Sequence, residues 1–112
     1  MKITNIDNVE ISKNPHNVDA RKIYDTNFAQ AVHIKMKPGE SLRRHITPVD
    51  VFFYVLEGKG IVEIGDEKKE VGVDTLIESP AKIVHCWYNE SNEILRILVV
   101  KVPKSTESTK VL

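Results

Sequence analysis

Cysteine is nearly absent from this 112-residue chain: Cys86 stands alone. A single thiol excludes an intrachain disulfide and the paired-cysteine metal motifs. It fits a reducing compartment. Charge of one sign is also lacking, with 16 Lys and Arg against 16 Asp and Glu. A partner such as nucleic acid or an anionic membrane favours a basic excess, so neither is expected. Little self-repulsion also permits oligomers. Long hydrophobic runs are missing. The densest, Val51 to Leu56, falls well short of the ~20 residues that span a bilayer. The opening MKITNIDNVE has no apolar stretch of the export type. A soluble, cytoplasmic protein is the expectation. There is no stretch with strong helical period, no nucleophile elbow and no phosphate loop.

What is present is β patterning. Val32, Ile34 and Met36 alternate with His33, Lys35 and Lys37, a half-buried strand of period two. That alternation puts His33 at the surface. Pro38-Gly39 reads as a type II turn, proline holding φ and glycine accepting a positive one. Residues 51–57 make an almost wholly apolar strand, covered on both faces. Residues 61–64 and 67–71 flank Gly65-Asp66, a two-residue hairpin signal. Residues 75–77, 83–88 and 94–102 supply further strands. Eight to ten short strands at close spacing argue a sandwich or barrel. Residues 1–27 read as an N-terminal strand, at 3–11, and an irregular arm broken at Asn14-Pro15, with His16 in loop. Residues 28–102 read as the barrel and 103–112 as a mobile polar tail.

Two segments carry a resemblance. In the first, Gly39 lies six residues before His45, and the strand from Val51 closes on Gly58. In the second, Asp74, Pro80, His85 and Asn89 keep a recurring spacing. Together they resemble the cupin superfamily over about residues 30–100. The resemblance implies an all-β fold, a cupin-type double-stranded β-helix or jelly-roll barrel. It also implies a metal held by three histidines and a glutamate. Here Thr47 stands at the second histidine position and Val51 at the glutamate position. His45 and His85 remain. Asp50 could complete a two-histidine, one-carboxylate set only if a bulge after Pro48 turned it inward. Of the divalent metals Fe, Zn, Mn and Ni, the expectation is weak or substoichiometric binding, because stable sites usually take three or four protein ligands.

Strand parity extends the site, since residues two apart share a face. An inward His45 brings Arg43 and Thr47 with it. Val51, Phe53 and Val55 share an inward face, leaving Phe52, Tyr54 and Leu56 outside. An inward His85 brings Trp87. The expected ligand pocket is therefore His45, Thr47, Val51, Phe53, His85, Trp87 and Arg43. An apolar cavity with a few convergent polar groups is the general character of a small-molecule site. Cys86 faces away from His85 and reads as a buried, inert thiol.

The leading function is a small-molecule-binding cupin barrel with a degenerate metal centre. One alternative is a metal-dependent oxygenase or isomerase using His45, His85 and an unusual third ligand. A second is a non-catalytic interaction or sensor module. Whether it is an enzyme stays open. The outward Phe52, Tyr54 and Leu56 point to a homodimer, because exposed apolar patches mark interfaces.

Overall fold

The computed structural model describes residues 1–105 and 110–112. Ten strands run in chain order: β1 Asp19–Asp25, β2 Gln30–Met36, β3 Ser41–Ile46, β4 Val51–Glu57 and β5 Gly60–Ile64, then β6 Glu67–Val71, β7 Leu76–Ser79, β8 Val84–Tyr88, β9 Leu95–Lys101 and β10 Lys110–Val111. They form two five-stranded antiparallel sheets, ordered β1-β2-β9-β4-β7 and β10-β3-β8-β5-β6. The fold is an all-β double-stranded β-helix. Among the described residues no helix is long and apolar enough to cross a membrane.

The alternation seen in sequence builds the core. Val51, Phe53 and Val55 of β4 are buried, while Phe52, Tyr54 and Leu56 are half-buried on the outer face. Ile34 and Met36 of β2, Leu42 of β3, Val62 of β5, Trp87 of β8 and Ile97 and Val99 of β9 complete the packing between the sheets. At the Pro38-Gly39 turn, Glu40 N–H donates to the Lys37 carbonyl at 3.0 Å, and Gly39 takes φ +86°. Gly58 has φ +78° as the chain leaves β4, and a Cβ there would run into the Ile94 carbonyl.

Several expectations are corrected. Residues 3–11 contain no strand; a short 3-10 turn, Ile6–Asn8, forms instead, with the Asn5 side chain accepting from Asp7 N–H. The asparagine-rich sequence supplies its own backbone partners and competes with strand pairing. The barrel begins at β1 rather than at residue 28. In the tail, Lys110–Val111 pairs with β3; the expected mobility there falls partly on residues 106–109, outside the described residues. His33 is buried rather than at the surface, because Arg96 lies over it and its Nε–H donates to His33 Nε2 at 3.0 Å.

Candidate functional site

The site is set by one irregularity. Leu42 of β3 pairs with Trp87, and His45 pairs with His85, so β3 spends one residue more than β8 over the same distance. This is a β-bulge, and it breaks parity. Leu42 and His45 both face inward and are buried, although they are three apart, while Arg43 and Arg44 are exposed. The expected inward Arg43 is therefore corrected: its side chain does not line the cavity.

Arg43 acts through its backbone instead. Its carbonyl accepts from Nδ1 of His45 at 2.6 Å. Its N–H donates to Nδ1 of His16 at 2.9 Å, and its guanidinium donates to the Pro15 carbonyl at 3.2 Å. These partners assign both tautomers. A carbonyl can only accept, so His45 carries its proton on Nδ1 and offers the Nε2 lone pair. A backbone N–H can only donate, so His16 carries its proton on Nε2 when neutral.

The arm before β1 thus brings a third imidazole to the barrel. Asn14 shapes it: its Nδ2 donates to the Ser12 and Val18 carbonyls, and its Oδ1 accepts from His16 N–H and Val18 N–H. The rings of His16 and His45 lie 4.7 Å apart, and those of His45 and His85 lie 4.3 Å apart. Burial, then neighbouring His45, Arg43 and Lys101, pushes His16 down to about 4. Burial is also the main cause that pushes His85 down to about 3, and it lowers His45. All three imidazoles are neutral near pH 7.

His85 is engaged at both ring nitrogens, Nδ1 with Ser79 Oγ at 2.6 Å and Nε2 with Thr47 Oγ1 at 3.2 Å. Ser79, Thr47 and His85 are all buried. This chain of hydrogen bonds ties β8 of one sheet to β7 of the other. Phe53 meets His85 edge-on at 5.3 Å.

Together these groups bound a cavity of about 170 Å³ between the sheets. His16, His45, Thr47 and His85 line one side. Val51, Phe53 and Val99 line the other, with Val18 and Pro15 of the arm across the opening. Of the expected pocket residues, His45, Thr47, Val51, Phe53 and His85 lie on its wall. Trp87 does not. It points inward but lies deeper, its ring 5.4 Å from that of Phe53 and fully buried under Gly60. Its Nε1 is buried with no hydrogen-bond partner.

The metal set implied by the resemblance does not fit these residues. Both nitrogens of His85 are taken, Val51 has no donor atom, and the Thr47 hydroxyl is a poor ligand. Asp50 is exposed beside β4 and its Oδ1 accepts from Ala81 N–H at 2.8 Å, so it does not turn into the barrel. Among the described residues no group of three or more His, Cys, Asp or Glu side chains is arranged to hold a metal ion. Cys86 faces away from the cavity. Its thiol lies within hydrogen-bond distance of both the Glu63 carboxylate and the Tyr88 hydroxyl, donating its one proton to one of them, and burial raises its pKa.

The family described as Cupin domain matches residues 32–101. The chain is a cupin. An uncharacterized protein of Methanocaldococcus jannaschii is 36% identical over 72 residues, 63% of this chain. The chain matches only 57% of that relative's length. Among solved structures, the polyketide cyclase RemF from Streptomyces resistomycificus superposes with TM-score 0.85 at 23% identity, over 100% of this chain and 85% of that one. An RmlC-like cupin with a double-stranded β-helix fold from Methanocaldococcus jannaschii gives 0.73 at 21%, over 85% and 88%. At these identities the two structures speak for the fold alone.

Sequence reasoning missed His16, Ser79 and Lys101. Ser79 and Lys101 were within reach of parity, two residues after the apolar Ile77 and Val99 on their strands. His16 carries no local signal, since only the folded arm brings it to His45.

Proposed function

We propose that this cupin binds a small organic molecule inside the barrel without a tightly held metal. The observation that carries the reading is the cavity itself. Val51, Phe53 and Val99 give it one apolar side, and on the other His45 presents an unprotonated Nε2 whose tautomer is held by the Arg43 carbonyl. That is a directional acceptor on a buried ring, and such groups orient ligands. The volume is near the ~150 Å³ at which an apolar cavity takes up benzene. The donor set of His85 argues against the metalloenzyme alternative.

Filling the cavity tests the reading. Ala20 lines it from β1, the edge strand of its sheet. Ligand-observed NMR with a library of ring-sized fragments should find binders to the unmodified protein. Ala20→Phe should abolish their binding while circular dichroism stays unchanged. A library without any binder would overturn the proposal.

We also propose a homodimer through the outer face of the β1-β2-β9-β4-β7 sheet. Phe52 pairs with Val100 and Tyr54 with Leu98 there, all half-buried, and Leu76 beside Tyr54 is exposed. Such a continuous apolar face favours a second copy. Light scattering should give twice 12.7 kDa, and Phe52→Lys should give the monomer. A reducing cytoplasm, where Cys86 stays a thiol, is our assignment of compartment.

A further inference from the structure

His16 and His45 lie side by side, their ring centres 4.7 Å apart. The backbone of one residue fixes both. The Arg43 carbonyl accepts from Nδ1 of His45 at 2.6 Å, and the Arg43 N–H donates to Nδ1 of His16 at 2.9 Å. A carbonyl and an N–H impose opposite tautomers on the two rings. His45 is left with a bare Nε2, an acceptor. Neutral His16 is left with Nε2–H, a donor.

Both rings line the cavity. Each turns Nδ1 to Arg43, which is exposed on the outer side of the bulge, so each Nε2 is turned away from it. Among the described residues neither Nε2 has a hydrogen-bond partner. His85 differs, since Ser79 and Thr47 take up both of its nitrogens. His45 is buried, and an acceptor on a buried ring is costly to leave unmet.

Charge points the same way. Burial keeps both imidazoles neutral near pH 7. The described lining residues include no aspartate or glutamate. Lys13 and Lys22 are exposed at the rim, where water and salt screen them, and Lys101 already has a partner. What the wall offers at His16 and His45 is a neutral donor beside a neutral acceptor.

A ligand that meets both must carry the converse pair, an acceptor and a donor on adjacent atoms of one edge. An open secondary amide is trans and points its C=O and N–H in opposite directions. Closing the amide into a small ring makes it cis and puts both groups on one side. A volume of about 170 Å³ limits the ligand to about one ring.

We infer that the cavity takes a small lactam, its C=O accepting from Nε2–H of His16, its N–H donating to Nε2 of His45, and its methylenes against Val51, Phe53 and Val99. This inference rests on the small-molecule reading above and narrows it to one functional group.

Calorimetric titration with δ-valerolactam, cyclohexanone and benzene separates the two. The lactam and the ketone differ only in N–H against a methylene, and benzene uses neither histidine. The lactam should bind at least about fivefold more tightly than the ketone. His45→Phe and His16→Phe each keep a ring in place. His45→Phe should bring lactam and ketone within about twofold of each other, and His16→Phe should weaken both by about threefold or more. Retained benzene binding reports that each variant is folded. In the unmodified protein, the lactam should move the imidazole nitrogen chemical shifts of His16 and His45 at Nε2 and leave those of His85 in place. Where a variant loses benzene as well, these shifts decide. A lactam no tighter than the ketone, or a shift at neither Nε2, would overturn the lactam assignment; benzene binding would then leave the cavity reading standing. A lactam preference that survives His45→Phe would do the same. Absence of binding by all three probes would overturn both.

Discussion

The Arg43 backbone N–H ends on Nδ1 of His16, 2.9 Å away. A residue whose side chain points to solvent thereby fixes the arm that closes the barrel. It does so at the bulge, where neither neighbouring strand claims that N–H. The same residue holds His45 through its carbonyl, so both imidazoles are registered to one bulged residue.

Replacing His16 should loosen the arm without disturbing the sheets. His16→Ala leaves the Arg43 N–H to water and should destabilise by about 1 kcal/mol. Hydrogen exchange should quicken at Arg43 and Val18 while β4 and β9 keep their protection. Uniform loss of protection across both sheets would count against a local role.

Stability should fall in acid. Imidazoles titrate near 6.5 in an unfolded chain, whereas His85 titrates near 3 and His16 near 4 in the fold. Between these values the unfolded chain binds more protons. Stability is therefore full above pH 6.5 and is lost as pH drops toward 4. His85 should contribute roughly 1 kcal/mol per pH unit, and half-buried His16 less because solvent screens it. Urea melts from pH 7.5 to 4.5 read this directly. His85→Gln keeps hydrogen-bonding groups for Ser79 and Thr47 and should flatten the curve.

The missing metal ligands can be restored. Thr47→His with Val51→Glu adds two donors and also frees Nε2 of His85 from its present partner. The double variant should bind nickel or zinc at least about a hundredfold more tightly than the unmodified protein, as the number of available ligands rises to four. Titration against a chromogenic chelator measures it. An unchanged affinity would mean that Ser79 holds the His85 ring in an orientation unfit for coordination.

Gly58 should be intolerant of a side chain. Its φ of +78° and the Ile94 carbonyl beside it both oppose a Cβ. Gly58→Ala should cost about 2–4 kcal/mol. Gly72→Ala, with open space and no positive φ, should stay within about 0.5 kcal/mol. Thermal melts of the pair provide the comparison.

The fold was readable because its rules are local. Alternation in 32–36 and 51–57 put the right side chains of β2 and β4 inside, and the turns at Gly39 and Gly65 fell where the register needed them. The site was half readable. His45, Thr47, Val51, Phe53 and His85 sit where parity and the family spacing put them. Arg43 misled because one extra residue at 43–44 reverses the phase of alternation, and nothing in Leu42-Arg43-Arg44-His45 announces a bulge. Trp87 obeyed its parity, but parity carries no depth, and Phe53 stands between it and the cavity. His33 followed the pattern to the outer face, yet Arg96, 63 positions away in sequence, covers it. His16 likewise depends on a contact remote in sequence, to Arg43, 27 positions away.

The segment from Ser12 to Val18 forms one wall of the cavity but belongs to neither sheet. Its shape is held by Asn14 and by contacts to a single exposed arginine. Loops of this kind can change sequence without upsetting the scaffold beneath. The container is therefore built in two parts that can be rewritten separately. The strands set its volume, and seven residues of loop decide what is presented across its opening. Exchanging this segment between cupins, with the core residue Val18 kept, would be a way to change one wall of the cavity while leaving the strands' own packing in place.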